Sequence, residues 1–122
     1  MARPVVHFEI MARDMDKLSR YYSELFGWEI NTDNPMRYGT VERAANVGPD
    51  GVGIGGGIGA APDGHDGHVT FYFGVEDVAA ALAKAESLGG SRMMGADKVG
   101  DEIEIGLFND PDGHLVGVVR TS

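Results

Sequence analysis

Apolar and polar residues alternate along the first predicted strand of this chain and then recur at the spacing of a helix. In the segment Val5–Ala12, every second residue from position 8 is apolar, whereas His7 and Glu9 lie on the opposite face. This period of two is typical of a half-buried strand. Asp14 is a suitable N-cap and Gly27 a suitable C-terminal residue for the amphipathic segment between them, so a helix is predicted there.

Short strands are predicted after this helix, because turn-forming residues separate three segments at 29–31, 38–44 and 52–59. The first half of the chain therefore follows the order β-α-β-β-β. Residues 60–67 contain turn residues throughout and no periodicity, so they are expected to link this half to the next.

The second half repeats the order of the first. Its predicted elements are a strand at 68–75, a helix between Asp77 and Gly90, and strands at 91–99, 102–109 and 114–121. The sequence Pro-Asp-Gly at 49–51 also returns at 111–113. Such a repeat of a whole β-α-β-β-β unit predicts a duplicated fold.

The predicted fold class is α+β, with two tandem β-α-β-β-β modules in one domain that covers residues 1–122. Module 1 is assigned to residues 1–60, the linker to 61–66 and module 2 to 67–122. At this length a chain buries a modest core and is expected to fold alone or as a small oligomer.

Composition and charge restrict the possible partners. The 122 residues carry a formal net charge of -9 and include no cysteine. A chain this acidic would repel a phosphate backbone, so no nucleic-acid partner is expected. The lack of cysteine excludes disulfides and thiolate metal sites and suits a reducing compartment. Because neither a signal-peptide pattern nor a run of about 18 apolar residues occurs, a cytoplasmic protein without a membrane partner is expected.

Three motifs carry a resemblance to a known family: His-Phe-Glu-Ile at 7–10, Leu-Phe-Gly-Trp at 25–28 and Asn-Asp-Pro-Asp-Gly-His at 109–114. In this order, and with the duplicated modules, the chain resembles the vicinal oxygen chelate superfamily of glyoxalases, bleomycin resistance proteins and ring-cleaving dioxygenases. The resemblance covers nearly the whole sequence. It implies a cupped, barrel-like sheet with the helices outside, a small-molecule ligand inside and a homodimeric assembly.

The resemblance also implies where a metal would bind, because metal-dependent members use one side chain from the first and one from the last strand of each module. Counted from the capping aspartates and the Pro-Asp-Gly glycines, these positions are His7, Gly55, Thr70 and Gly117. Only His7 is a good ligand, and a divalent ion needs about three protein ligands for tight binding. A member without the usual metal and without another cofactor is therefore expected.

Glycine occupies every second position from 51 to 59. One face of this strand is bare backbone. Because Gly55 is a family position for an inward side chain, the bare face is expected to line the cup and leave space for a ligand. A close-packed strand at a subunit interface would explain the pattern equally well.

Candidate acid and base residues follow from the predicted last hairpin. Pairing Asn109 with His114 would place Glu104 and Phe108 on the cup side, and the repeat offset would place Glu42 beside them. A histidine near carboxylates in a partly apolar cavity suits general acid/base catalysis, since burial and like charge raise carboxyl pKa values. The predicted catalytic residues are His7, Glu9 and Glu104. The predicted ligand-binding residues are His7, Glu42, Gly55, Thr70, Tyr72, Phe108 and Gly117.

The function that these features favour is a glyoxalase-like protein that sequesters or transforms a small organic ligand in the cup. One alternative is a metal-dependent lyase, isomerase or dioxygenase with a relocated site made from His7, His68 and a glutamate. A second alternative is a non-catalytic assembly protein whose cup is closed by packing. In a purely structural role, His7 would be hydrogen-bonded in the barrel, and Glu42 and Glu104 would be solvated edge residues.

Overall fold

A computed structural model describes residues 2–99 and 102–121 of the chain, and the module ends predicted at residues 1 and 122 lie outside them. Within these residues there are seven strands, two α-helices and one 3₁₀ helix. In chain order they are β1 (Val5–Ala12), α1 (Met15–Phe26), β2 (Gly39–Val41), the 3₁₀ helix (Arg43–Ala45), β3 (Gly55–Ala60), β4 (His68–Val75), α2 (Val78–Ser87), β5 (Ser91–Val99), β6 (Ile103–Asn109) and β7 (Leu115–Arg120). The predicted α+β class is confirmed.

Two compact units make up the chain. The N-terminal unit is His7–Val69, and the C-terminal unit is Thr70–Ser122 together with Met1–Val6. The first two residues of β4, including His68, therefore belong to the N-terminal unit.

Both helices begin at the predicted aspartates. The Asp14 carboxylate accepts the N–H of Lys17 at 3.1 Å, and the Asp77 carboxylate accepts that of Ala80 at 3.0 Å. Each bond satisfies an N–H group that a first helical turn leaves without a partner. The first helix ends at Gly27, whose φ of 73° is left-handed and costs glycine little.

In the N-terminal unit, β3 is the central strand, parallel to β1 and antiparallel to β2. The apolar face of β1 packs with Ile58 against α1, as the alternation predicts. Trp28 contributes to this core by stacking on Phe8, with 4.9 Å between ring centroids. The opposite face of β1 is left to His7 and Glu9.

In the C-terminal unit, the strand order is β4-β7-β6-β5, with β4 parallel to β7 and the other pairs antiparallel. The second helix buries Val78 and Leu82 completely against one face of these strands. Gly106 permits this close approach, because a Cβ atom there would lie 2.7 Å from Leu82 Cδ1.

One prediction about the strands was wrong in detail. The strand expected at 29–31 is reduced to an isolated bridge between Asn31 and Thr40. In β4, Tyr72 is only 3% exposed, whereas Val69 is 75% exposed. The reason is that the core around α2 includes Phe73 and the end of β4 but does not reach Val69.

In the part of the chain that the structure describes, every helix is too short or too polar to span a membrane.

Candidate functional site

Four polar side chains of the N-terminal unit form one hydrogen-bonded row, which we call the polar row: His7, Tyr38, Glu9 and His68. The Nε2 atom of His7 lies 3.2 Å from the Tyr38 hydroxyl, and that hydroxyl donates to Glu9 Oε2 at 3.3 Å. The other carboxylate oxygen, Glu9 Oε1, lies 3.3 Å from His68 Nε2. Glu9 is therefore the centre of the row, with a polar partner on each oxygen.

The first strand fixes two members of the row. His7 and Glu9 lie two residues apart, so both point away from α1. Their register partners on β3 are Gly55 and Gly57. Because neither partner has a side chain, the surface of β3 beside the histidine and the carboxylate is left for a side chain from another segment.

Tyr38 covers this glycine surface. A Cβ atom at Gly57 would lie 1.9 Å from a Tyr38 ring carbon, and one at Gly59 would lie 3.2 Å from the same ring. The Asn34 amide fixes the tyrosine backbone, since it donates to the Tyr38 carbonyl at 2.7 Å and accepts the Tyr38 N–H at 2.9 Å. The bare face of β3 is therefore covered by a ring of its own unit, which neither sequence-based explanation included.

His68 approaches Glu9 from the first position of β4. Their side chains are 29% and 15% exposed, so the pair lies at the edge of the shielded region. The sequence pattern suggested His68 as a ligand of a relocated metal site. In the structure it contacts the carboxylate through a hydrogen bond.

Proton positions in the row follow from the bond between Tyr38 and Glu9. Because the phenol donates its proton to the carboxylate, its oxygen accepts from His7, which assigns the His7 proton to Nε2. Burial lowers the pKa of His7, and the nearby charge of Glu9 opposes this only in part. The His7 imidazole is therefore neutral near pH 7.

The row combines one base with several donors. A carboxylate held by two donors can accept a proton from a bound molecule, and phenol and imidazole groups can donate hydrogen bonds to an oxygen where negative charge develops. The arrangement is thus able to bind a polar ligand and to move a proton.

Four of the predicted ligand-binding residues lie in the C-terminal unit, and three of them, Thr70, Tyr72 and Gly117, lie where β4 contacts β7. The Thr70 hydroxyl donates to the Leu115 carbonyl at 2.5 Å. Tyr72 pairs with Gly117, and its ring lies so close that a Cβ atom at Gly117 would be 2.4 Å from it. Thr70 and Tyr72 thus pack against β7, and the predicted role of all three residues in ligand binding stays a prediction.

The predicted register of the last hairpin was wrong by one residue. Asn109 pairs with Leu115, not with His114, so Gly117 lies opposite Leu107. The reason is the Asp110 carboxylate, which accepts the N–H groups of residues 112 and 114 and holds a loop that is one residue longer than predicted. A slip of one residue exchanges the two faces of a strand.

The shifted register corrects the placement of Glu104 and Phe108. Phe108 packs with the core around α2, and Gly106 faces Leu82 of that helix. Glu104 shares this face by alternation, so neither Glu104 nor Phe108 lies on the side predicted from the sequence. Glu42 also lies outside the row, at an exposed position just before the 3₁₀ helix.

The register corrects one family position as well. Glu9 and Tyr72 each stand five residues before a capping aspartate, and their partners are Gly57 and Gly117. Gly57, and not Gly55, is therefore the counterpart of Gly117. The count from Pro-Asp-Gly fails because β3 begins four residues after residue 51, whereas β7 begins two residues after residue 113. Whether Gly55 or Gly57 is the counterpart of Gly117, the residue at that family position is a glycine.

Comparison with known proteins decides the family. The family model of the Glyoxalase/Bleomycin resistance protein/Dioxygenase superfamily matches residues 5–118. The chain belongs to this superfamily. The family predicted from the motifs is thereby confirmed.

Two mycobacterial proteins are related in sequence to this superfamily member. Both are called "Putative glyoxylase CFP32", one from Mycobacterium bovis and one from Mycobacterium tuberculosis. Each is 31% identical over 119 residues, which cover 90% of this chain and 42% of the relative. The chain thus spans less than half the length of these relatives.

Solved structures of the superfamily share the fold. A methylmalonyl-CoA epimerase in complex with methylmalonyl-CoA and NH4+ has a TM-score of 0.66 at 20% identity, with 100% of this chain and 96% of that chain covered. A superfamily member from Vibrio splendidus 12B01 has a TM-score of 0.62 at 15% identity, with 98% and 100% covered. The epimerase from Mycobacterium tuberculosis has a TM-score of 0.60 at 18% identity, with 97% and 87% covered.

The metal that the resemblance implies, and its expected absence from this chain, stay predictions. The Tyr38 hydroxyl lies between His7 and Glu9 in the hydrogen-bonded row, and the Thr70 hydroxyl is bound to a carbonyl. Among residues 2–99 and 102–121, no three His, Asp or Glu side chains converge as metal ligands. The relocated site made from His7, His68 and a glutamate stays an alternative.

Tyr38 is the member of the row that sequence reasoning missed. Its phenol touches groups 29 and 31 residues away, so no local pattern points to it. One signal was available, because a strand face made only of glycine must be covered by a side chain from another segment. Thr40 of β2 pairs with Gly57, and Tyr38 stands two residues before Thr40, on the same side of the chain as the glycine face.

Proposed function

We propose that this chain binds a small organic molecule beside the polar row and that Glu9 accepts a proton from it. The observation that supports the proposal is the row itself, in which the Glu9 carboxylate is held by the Tyr38 phenol and the His68 imidazole. A carboxylate oriented by two donors and only 15% exposed is suited to general-base catalysis.

The other members of the row have separate roles in this proposal. His68 orients the carboxylate from one side. Tyr38 orients it from the other, and once Glu9 is protonated the phenol becomes able to donate to a ligand oxygen that has gained negative charge. The neutral His7 imidazole, which donates to the phenol oxygen, supports that charge in turn.

Removal of a proton next to a carbonyl group is the reaction class that best suits one carboxylate base and a phenol donor. The superfamily structures with the same fold include an epimerase bound to methylmalonyl-CoA, which makes that compound a reasonable first probe. The likeness at 20% identity shows the fold alone, so the polar row carries the proposal. The expected homodimer and cytoplasmic location stay predictions.

Exchange of a carbon-bound proton tests the proposal. Methylmalonyl-CoA is incubated with the protein in D2O, and loss of the signal of the proton beside the carbonyl is followed by NMR. Glu9→Gln keeps the shape of the side chain and removes the base, so exchange should fall about 10²- to 10⁴-fold. Glu24→Gln makes the same change at an exposed position of α1 and should exchange like the wild type.

Binding is measured separately, by calorimetric titration of the same compound. Binding without exchange would support sequestration in place of catalysis. Equal exchange in the wild type and Glu9→Gln would refute the role of Glu9. If methylmalonyl-CoA does not bind, a ligand-observed NMR screen of small acids and thioesters should give hits that Tyr38→Phe weakens.

A further inference from the structure

A groove of about 730 Å³ lies between α2 and the strands of the C-terminal unit. Phe73, Phe108 and Val118 line it from the strands, and Ala81 and Ala85 line it from the helix. A volume of this size lies within the range of about 300–1,000 Å³ that is usual for sites of small molecules.

The duplicated sequence explains why this groove exists. Asp77 follows Asp14 by 63 residues, and the same offset places Ala81 at the position of Leu18 and Ala85 at that of Tyr22. In the N-terminal unit, Leu18 and Tyr22 pack into the core under α1. The C-terminal unit has only methyl groups at these positions.

A third large side chain of the N-terminal unit, the indole of Trp28, also lacks a large counterpart in the C-terminal unit. Trp28 stacks on Tyr22 at 5.3 Å between centroids and completes the aromatic packing of the N-terminal unit. The offset of 63 places Ser91 at its counterpart. The groove therefore lies where α2 carries two alanines in place of the large side chains that α1 packs into the core of the other unit.

Among residues 2–99 and 102–121, the rim of the groove carries one cation outside the ion pairs, Lys84. Glu76 pairs with Arg3 at 3.8 Å, and the carboxylates of Asp77 and Asp110 accept backbone N–H groups. Lys84, on the last turn of α2, also lines the groove. Within residues 2–99 and 102–121, no carboxylate forms an ion pair with the Lys84 ammonium.

We infer that this groove is a second binding site, which takes a flat, mostly apolar molecule with a single anionic group. Phe73 and Phe108 offer aromatic surface to a flat ring system, and the alanines of α2 leave room for it. Lys84 selects a negative group at the rim. Because the whole chain carries a net charge of -9, non-specific attraction of anions is not expected.

The fluorescent dye 1-anilinonaphthalene-8-sulfonate has this chemistry and serves as the probe. We expect saturable binding of one dye per chain to the native protein. Ala85→Tyr restores the side chain of the N-terminal unit, fills the groove and should weaken binding at least about tenfold. Ala83→Tyr makes the same substitution at an exposed position of α2 that does not line the groove, and should bind like the wild type.

The charge is tested with a pair of dyes. Lys84→Met should weaken the anionic dye about two- to fivefold, as expected for an exposed ion pair. The uncharged dye N-phenyl-1-naphthylamine should bind Lys84→Met and the wild type equally. Circular dichroism checks that each variant is folded, and Ala81→Leu replaces Ala85→Tyr if the latter is not.

The inference is overturned by any of three results. These are the absence of saturable dye binding, an equal loss in Ala85→Tyr and Ala83→Tyr, and a loss in Glu9→Gln, which would assign the dye to the polar row. Amide shifts on dye addition give an independent check, because they should be largest at Ala81, Ala85 and Gly90. Failure of the proposed proton transfer by Glu9 would leave these expectations unchanged.

Discussion

Replacing Gly57 by alanine should displace the Tyr38 ring from β3. The backbone at Gly57 is outside the left-handed region, so alanine suits the strand itself. The new Cβ atom would lie 1.9 Å from a carbon near the tip of the Tyr38 ring, which is far below any real contact. The tip of a side chain moves more easily than a central strand, so the ring should swing away and lose its bonds to His7 and Glu9.

The expected cost follows from these two bonds. Their lengths of 3.2 and 3.3 Å are long, which places them at the low end of their usual strengths. This gives about 0.5 kcal/mol for the bond to His7 and about 1.5 kcal/mol for the bond to the Glu9 carboxylate. Replacing glycine by alanine also stabilises the folded state by about 0.5–1 kcal/mol, because it lowers the conformational entropy of the unfolded chain. The variant should thus be about 1–1.5 kcal/mol less stable than the wild type.

Urea unfolding followed by the fluorescence of Trp28 measures this difference. The decisive control is the Tyr38→Ala background, where the ring is absent and Gly57→Ala should stabilise by about 0.5–1 kcal/mol. The two backgrounds should therefore differ by about 2 kcal/mol, which is the coupling between the positions. An equal effect of Gly57→Ala in both backgrounds would refute the assignment of Tyr38 as the cover of β3.

Three further variants test other parts of the structure. Gly117→Ala should destabilise by about 1–3 kcal/mol in urea unfolding, because Tyr72 is 3% exposed and its ring cannot leave; a neutral result would contradict the tight packing. Below about pH 6.5 the unfolded chain protonates His7 before the folded chain does, so the wild type should lose stability relative to His7→Gln as the pH falls through that value. Parallel pH profiles of unfolding would argue against a buried, neutral imidazole. Asp77→Ala removes the cap bond to Ala80 and should cost about 1 kcal/mol in thermal unfolding, whereas an unchanged melting temperature would show that the cap is dispensable.

Local interactions account for the parts of the fold that the sequence predicts well. The bounds of β1 follow from simple alternation, and both helices begin at an aspartate whose carboxylate caps the first turn. These features depend on residues within a few positions of one another. The superfamily could be inferred because its motifs stand at the junctions of such elements.

Contacts between distant residues explain what the sequence could not predict. Tyr38 follows a turn in which Arg37 has a φ of 54°, an unusual conformation for a residue other than glycine, and strand periodicity does not carry across such a turn. The register of the last hairpin depends on which N–H groups the Asp110 carboxylate accepts. Because these bonds shift the register by one residue, Glu104 and Phe108 lie on the face opposite to the one predicted.

The contact between Gly57 and Tyr38 also restricts the order in which the two positions can change during evolution. A larger residue at 57 costs stability while the ring at 38 is present but not once that ring has been lost, whereas a smaller residue at 38 needs no prior change in β3. Lineages that pass through loss of the ring would expose a strip of backbone beside His7 and Glu9. Such intermediates, although less stable, would be the ones in which the polar row could acquire a new ligand.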